Sequence, residues 1–309
     1  MSSRSVLVVG SANIDLVFKT PQFPSPGETL LGRSFASYPG GKGANQAVAA
    51  AKLDGDVSFV GCVGSDPFGR ILLDSLQEAG VNCNWVRRLE DSATGAANIL
   101  VNDRGQNQIV VAPGANWKLT PGDVREALAS HEDSVVLCQL EIPEEAVAEA
   151  SRSKNFILNP APARNLSDDI LSRCLAITPN QSETAFLTGI EPSNTESCRS
   201  AAAFFLGKGV RNVVLTLGEG GSYWRSADDE AWIPALTVTA VDTVAAGDAF
   251  SGALALRYAQ TGDWKESLRI ATRVAAISVT RVGAQSSMPT LAELIDFERG
   301  HPDRHPPGS

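Results

Sequence analysis

The sequence predicts an α/β fold: a doubly wound, mainly parallel sheet flanked by helices, with a small antiparallel β lid. Three observations carry this reading. Short runs that are apolar on both faces recur along the chain, as strands do when helices cover both sides of a parallel sheet. Helical segments with recognisable starts and stops alternate with them. Two stretches break the alternation and carry no helix signal. Taken in order, "SVLVVG" near the start reads as a buried first strand. "DLVFKTPQFPSPGETLLGRSF" holds two extended pieces around a Pro-rich turn and is the first interruption. "VSFVGCVG" is a strand, followed by a helix in "DPFGRILLDSLQEAGV". There Asp66 suits the N-cap, Pro67 the first helical position and Gly80 the stop. "TGAANILVNDRGQNQIVVAPG" reads as a hairpin about "NDRGQ" and is the second interruption. "SVVLCQL" is a strand before the helical "PEEAVAEASR"; "FILN", "LAIT" and "VRNVVLTL" are further strands, with helices in "SETAFLTG" and "SCRSAAAFFLGKG". The organisation expected is one domain over residues 1–309, with lid segments inserted at about 15–39 and 94–113. Residues 299–309, ending in "GHPDRHPPGS", read as a disordered tail.

Composition narrows the function. The chain has 309 residues, 43% of them hydrophobic, which is ample for a packed core. Its formal net charge of −9 would repel a polyanion, so nucleic acid is not an expected partner. "SVLVVG" is too short for a signal-peptide core or a bilayer span, and a cytoplasmic location with no membrane partner is expected. Cys62, Cys83, Cys138, Cys174 and Cys198 are far apart, and no CxxC occurs. They read as scattered thiols in a reducing compartment rather than a disulfide framework or a zinc site. Of the three histidines, His301 and His305 lie in the tail and His131 lies in "ASHEDS", a helix end, so a histidine-centred catalytic system finds no support.

In open parallel sheets, ligands bind beyond the carboxyl ends of the strands. Polar residues gather there. Asn13 and Asp15 follow the first strand, Glu141 follows "VVLCQL", Asn159 ends "FILN", Asn180 and Glu183 follow "LAIT", and "GEGG" follows "VVLTL". Any one of them suits a turn or a cap; together they outline a polar rim. "PGGKGANQAVAAA" (Pro39 to Ala51) opens a helix with Gly40, Gly41 and Gly43 around Lys42. Such glycines let backbone approach a ligand, and the amides of the helix start can donate to it. The spacing GxxxxGK[ST] of a P-loop is absent, as is any GxGxxG. "DTVAAGDAFSGAL" (Asp242 to Leu254) sets Asp248 behind Ala245, Ala246 and Gly247 in the first turn of an apolar helix. The free N–H groups of that turn make an anion hole. Asp248 could simply cap its own helix. Beside an anion hole it could instead take a proton from an alcohol attacking a phosphoryl group. Asp242 and the Gly- and Ser-rich "SVTRVGAQSS" (Ser278 to Ser287) offer oxygen donors suited to a hard monovalent cation, potassium being expected; a plain turn role for Asp242 is the alternative.

With these residues in place, the chain resembles the ribokinase-like family of sugar and nucleoside kinases over nearly its whole length, to about Ile295. The resemblance rests on "VVGSANIDLV", "PGETLLG", "YPGGKGANQAVAAA", "GCVGSDPFG", "GAN" (Gly114 to Asn116), "LNPAPA", "TPNQSE", "TLGEGG", "VDTVAAGDAFSGAL" and "RVGAQSSMP". The lysine-containing glycine motif is more similar to the ribokinase branch than to fructokinases or adenosine kinases. The resemblance implies ATP-dependent phosphorylation of D-ribose at its 5-hydroxyl, giving D-ribose 5-phosphate, in a homodimer joined through the lid. It implies Asp248 as catalytic base, with the amides of Ala245, Ala246, Gly247 and Asp248 as the anion hole. Asn13, Asp15, Gly41, Lys42, Gly43, Asn45 and Glu141 would bind the sugar with Asp248. Asn180 and Glu183 would serve the phosphates and Mg2+. Thr216, Leu217, Gly218, Glu219, Gly220 and Gly221, with Gly247 and Thr272, would contact ATP. Asp242 and Ser287, with backbone oxygens near Val244, Ser278, Arg281 and Gly283, would hold K+. The chain departs from the family pattern at Ser251, where Asn is common, at Thr272, where some members have His, and at Ser286, where Pro is frequent. Three rivals remain: a deoxyribose kinase of the same family, a nicotinamide-dependent oxidoreductase, which the missing GxGxxG disfavours, and a non-catalytic sugar sensor, which Asp248 disfavours.

Overall fold

A first strand of four consecutive β-formers, β1 (Val6–Val9), sits at the centre of the molecule, and both faces of it are covered. The computed structural model describes residues 5–301. Val6 and Val8 point into one hydrophobic core, and Leu7 and Val9 into a second on the opposite side of the sheet. After β1 come β2 (Asn13–Thr20), β3 (Ser34–Gly40), α1 (Lys42–Ala51), β4 (Val57–Gly64), α2 (Pro67–Glu78) and β5 (Asn82–Leu89). The hairpin β6 (Gly95–Asn102) and β7 (Asn107–Ala112) follows, then a short 3-10 helix (Gly114–Lys118), α3 (Pro121–Ala129), β8 (Val135–Cys138), α4 (Glu144–Ala150) and β9 (Phe156–Leu158). The chain continues through α5 (Asp168–Arg173), β10 (Ala176–Ile177), α6 (Gln181–Thr188), α7 (Thr195–Gly207), β11 (Val213–Thr216), β12 (Ser222–Arg225) and β13 (Glu230–Ile233). Three helices close it: α8 (Ala246–Thr261), α9 (Trp264–Ser278) and α10 (Leu291–Gly300).

Among the described residues the main sheet has nine strands, in the order β13-β12-β11-β10-β9-β8-β1-β4-β5. From β11 to β5 neighbouring strands are parallel; β12 and β13 add an antiparallel edge. The chain winds outward from β1 to β5, then returns to β8 and winds the other way. The direction therefore switches between β1 and β8, and a crevice opens beyond the carboxyl ends of those two strands. Helices α1, α2, α8, α9 and α10 cover one face, with α3, α4, α5 and α7 on the other.

The caps read from sequence form as expected. Asp66 accepts from Gly69 N at the start of α2, Pro67 is its first residue, and Gly80 takes φ +88 just past its end. Strands β5, β12 and β13 carried no clear sequence signal: β5 is half exposed, and the edge pair is held by cross-strand register rather than by apolar runs. The second sheet has the order β3-β2-β6-β7. Each of its hairpins is antiparallel, but they join through a parallel pair, β2 with β6, which corrects the all-antiparallel lid expected. The reason is topological. Strands β2 and β6 leave β1 and β5 at the same edge of one parallel sheet, so they emerge pointing the same way. At the carboxyl end, α10 runs through Gly300 and His301 stacks on Phe297, so these residues belong to the helix and not to a tail. His305 and the rest of the expected tail, with residues 1–4, lie outside the described residues.

Candidate active site

The crevice at the switch point is built from two glycine-rich turns and the helices they start. Gly41 precedes α1 with φ +88, and a Cβ there would stand 2.6 Å from Asn13 N. A Cβ at Gly43 would stand 2.6 Å from Ser11 N. Only glycine lets the start of α1 lie this close against the chain leaving β1. Ser11 Oγ donates to Glu141 Oε2 at 2.5 Å, and Lys42 N donates to the same oxygen at 3.1 Å. Glu141 thus ties the loop after β8 to the start of α1, across the β1–β8 switch. Asn13 Oδ1 accepts from Asn116 Nδ2 at 2.7 Å, and Asn116 also holds both backbone groups of Ala12.

Helix α8 packs its first two turns on α1. Gly252 makes the close approach possible: a Cβ there would be 2.4 Å from Gln46 O. Before the helix, Ala245 is held at φ +59, a left-handed conformation that costs a non-glycine residue about 1–3 kcal/mol. Among the described residues, no acceptor meets the backbone N–H of Gly247 or Asp248. Asp248 does not cap its own helix. Its carboxylate crosses to α1, where Asn45 Nδ2 donates to Oδ2 at 3.0 Å and Gln46 Nε2 donates to Oδ1 at 2.9 Å. The residue is 7% exposed.

Four carboxyl groups and one ammonium share this space. Burial pushes Asp248 up from the ordinary carboxylate range, while Lys42, Asn45 and Gln46 hold it back. Burial, then the charges of Glu141 and Asp248, push Asp15 up to about 7, against the pull of Lys42. Burial likewise raises Glu183, opposed by the backbone N–H of Asn180 and by Lys42. Burial alone would lower Lys42, but Asp248, Glu141, Glu183 and Asp15 outweigh it and hold the ammonium above its usual range. The site therefore combines a buried carboxylate, a cation, and free amide donors at a helix start. That set can accept a proton from an alcohol and stabilise an anion beside it.

The remaining residues singled out in the sequence fall into two groups. Asn180 and Glu183 cap α6 reciprocally: Asn180 Oδ1 accepts from Glu183 N at 2.8 Å and Glu183 Oε2 accepts from Asn180 N at 2.9 Å. Thr216 bridges to Asn180 and leads into the turn Leu217 to Gly221, where Gly218, Glu219 and Gly220 form one 3-10 turn. A Cβ at Gly221 would strike Ile233 O at 2.1 Å. Thr272 Oγ1 donates back to Leu268 O within its own helix. On the far side of α8, Asp242 Oδ1 accepts from Val244 N at 3.0 Å and Oδ2 accepts from Gly283 N at 2.9 Å. Its carboxylate thereby links the loop before α8 to the 278–287 turn. Within that turn Ser278 Oγ and Ser287 Oγ donate to local carbonyls, and Arg281 pairs with Glu293. Among the described residues, no three His, Cys, Asp or Glu side chains cluster as a metal cage.

Sequence reasoning gave no role to Ser11, Gln46 or Gln139, which the structure brings to the site's base. Gln46 stands inside the quoted glycine motif and Gln139 in "VVLCQL", a polar residue at the end of a buried strand. That placement was the available signal.

Comparison with known proteins gives one consistent result. Residues 3–291 match the model of the pfkB family carbohydrate kinases. A ribokinase of Haemophilus influenzae is 40% identical over 300 residues, covering 95% of this chain and 98% of the relative. A deoxyribokinase of Salmonella typhi is 38% identical over 299 residues, covering 94% of this chain and 98% of the relative. The solved ribokinase of Arabidopsis thaliana, complexed with ribose and ATP, superposes with a TM-score of 0.88 at 29% identity, covering 96% of this chain and 98% of that one.

The shift of Asp15 makes a stability prediction. Its carboxyl, pushed up to about 7 in the fold, lies above the ordinary aspartate value of 3.8, so between those two pH values the folded chain holds a proton that the unfolded chain has lost. Stability from this group is therefore lost as pH rises through that window. Asp15→Asn should raise the melting temperature at pH 8, by about 2–4 °C for each kcal/mol relieved, and leave it nearly unchanged at pH 4. Scanning calorimetry of the ligand-free protein checks this; an equal shift at both pH values would count against it.

Proposed function

The chain belongs to the pfkB family of carbohydrate kinases, and from that premise we propose that it transfers the γ-phosphoryl group of ATP to the 5-hydroxyl of D-ribose, giving D-ribose 5-phosphate and ADP. The observation that carries the reading is Asp248, a buried carboxylate turned away from its own helix, beside the unpartnered amides of Gly247 and Asp248. As the sugar oxygen attacks the γ-phosphorus, its proton passes to the Asp248 carboxylate and the bond to the bridging oxygen of ADP breaks. The free amides of Gly247 and Asp248 and the ammonium of Lys42 stabilise the charge on the transferring group, whereas the Ala246 N–H, expected in the anion hole, donates to Thr243 O. Asn13, Asp15, Asn45, Glu141 and the backbone of Gly41, Lys42 and Gly43 hold the sugar hydroxyls. The turn Thr216 to Gly221 and Thr272 hold the nucleotide, with Asn180 and Glu183 toward its phosphates.

Magnesium is bound in such sites by one or two carboxylates together with substrate phosphates. Glu183, whose Oε1 is not used by the cap, fits that description. When bound, the ion neutralises charge on the β- and γ-phosphates. Asp242, Ser287 and the carbonyls of Val244, Ser278, Arg281 and Gly283 make an all-oxygen donor set suited to a hard monovalent cation such as potassium. Asp242 already ties the two loops together, and we assign it the role of fixing the anion hole. Five free thiols suit the reducing cytoplasm in which we place the enzyme. No helix among the described residues is long and apolar enough to cross a membrane. The face of the small sheet turned away from Asp15 exposes Phe18, Phe35 and Val110, and supports a homodimer joined there.

The second reading, a kinase of 2-deoxyribose, is favoured by the 38% identity to a deoxyribokinase. ATP consumption over a panel of pentoses, hexoses and nucleosides tests both. We expect the highest kcat/KM with D-ribose, and a preference over 2-deoxyribose that collapses in Asp15→Ala. Asp248→Asn should lose on the order of 10²–10⁴ of kcat with the fold intact; turnover within threefold of the parent would overturn the base. At fixed ionic strength, potassium should raise activity severalfold over tris, with a weaker response in Asp242→Asn; equal rates in both buffers would remove the cation. Light scattering should give twice the mass of one chain, reduced to one in Val110→Lys; a monomeric parent would exclude the dimer.

A further inference from the structure

We infer that Gln46 is a positioning residue that sets the ionisation of Asp248, locked in one orientation by Asn159 and Gln139. The inference rests on the reading of Asp248 as the base. The orientation follows from one backbone atom. The carbonyl oxygen of Thr178 can only accept, so Asn159, whose Nδ2 lies 3.1 Å from it, turns its hydrogens there and its Oδ1 toward Gln46. Gln46 Nε2, 3.0 Å from that Oδ1, is therefore the donor, and its other hydrogen goes to Asp248 Oδ1 at 2.9 Å. Gln46 Oε1 accepts from Gln139 Nε2 at 2.6 Å. Flipping Gln46 would set its oxygen against two acceptors, Asn159 Oδ1 and Asp248 Oδ1, and its amino group against the amino group of Gln139. Both glutamines are 0% exposed, so water does not reach in to replace either. The chain leaving β1 is shaped around them: a Cβ at Gly10 would stand 2.0 Å from Gln139 Oε1. Asn45, the other donor to Asp248, has no anchor like the one Thr178 O gives Asn159; its Oδ1 is buried without a partner, as is Gln139 Oε1.

The charged groups around Asp248 make this donor matter. Lys42 faces it from α1, Glu141 from the loop after β8, Asp15 from β2 and Glu183 from α6. Three of these four are acids, and with burial they favour the protonated form. Lys42, Asn45 and Gln46 favour the carboxylate, and only the carboxylate can take the proton of the sugar. A preset donor does this without rearranging during the reaction.

The test is the pH dependence of kcat/KM in the full-length protein, with parent, Gln46→Met, Gln139→Met and Asp248→Asn compared. Losing the donor raises the pKa of the base, so in Gln46→Met the acid limb should move up by about one pH unit. Activity below the limb then falls about tenfold and recovers at high pH. Gln139→Met should move it in the same direction by less. The carboxyl 13C signal that disappears in Asp248→Asn assigns the titration to this residue rather than to Asp15, and should move with the limb. An unmoved limb in folded variants, or a loss equal at every pH, would overturn the inference. Where Gln46→Met does not fold, Gln139→Met decides by the same readout. Activity retained in Asp248→Asn would instead overturn the base itself, and the two failures are distinct.

Discussion

A carboxylate buried between two helix starts is the constraint on which the rest of this structure depends. An unpaired charge in such a place is costly, and the protein answers with donors from the facing helix rather than with an ion pair alone. That answer requires α1 and α8 to lie close together, which Gly252 permits. It requires α1 to begin at a fixed point, which Gly41, Gly43, Ser11 and Glu141 enforce. It also requires α8 to begin without a side-chain cap, so that its first amides stay free, at the expense of a left-handed alanine. Each of these local departures from ordinary helix chemistry points to the same few cubic ångströms.

Much of the fold was legible because its signals are local. Asp66-Pro67 and Gly80 bracket α2, and "NDRGQ" turns the β6–β7 hairpin, with Gly105 at φ +75. The relative direction of β2 and β6 was not legible. It follows from where β1 and β5 end in the sheet, and no residue of either hairpin encodes it. The same division holds in the site. Asp248, Lys42 and Asn45 stand in glycine-rich motifs whose spacing betrays them. Gln46 and Gln139 stand in apolar runs, 93 residues apart, and meet only because α1 packs over β1, the neighbour of β8 in the sheet. Asn180 and Glu183 were legible as a pair, yet their spacing is also that of a capping box, and the structure uses it as one. Sequence spacing reported the contact without reporting its purpose.

The two cores explain why the site keeps its shape. The main sheet is covered on both faces, so the carboxyl ends of β1 and β8 are fixed by packing far from the crevice. The small sheet has no such support. Its strand β7 is exposed along its whole length, and its apolar side chains are open to contact. The packed part of the fold therefore lies beneath Asp248 and its partners, and the least covered part is the outer strand of the small sheet.

The fit of Gly10 against Gln139 couples positions that are distant along the chain. A methyl group at residue 10 would overlap the Gln139 oxygen at 2.0 Å and press on the Gly43 backbone at 2.9 Å, so a side chain there would displace Gln139. No shorter residue can replace Gln139 without releasing Gln46. Positions 10, 46 and 139 lie on three different elements and are far apart in the gene. They nonetheless act as one unit, in which a change at 10 or 139 reaches the Asp248 carboxylate only through Gln46, the one member that touches it.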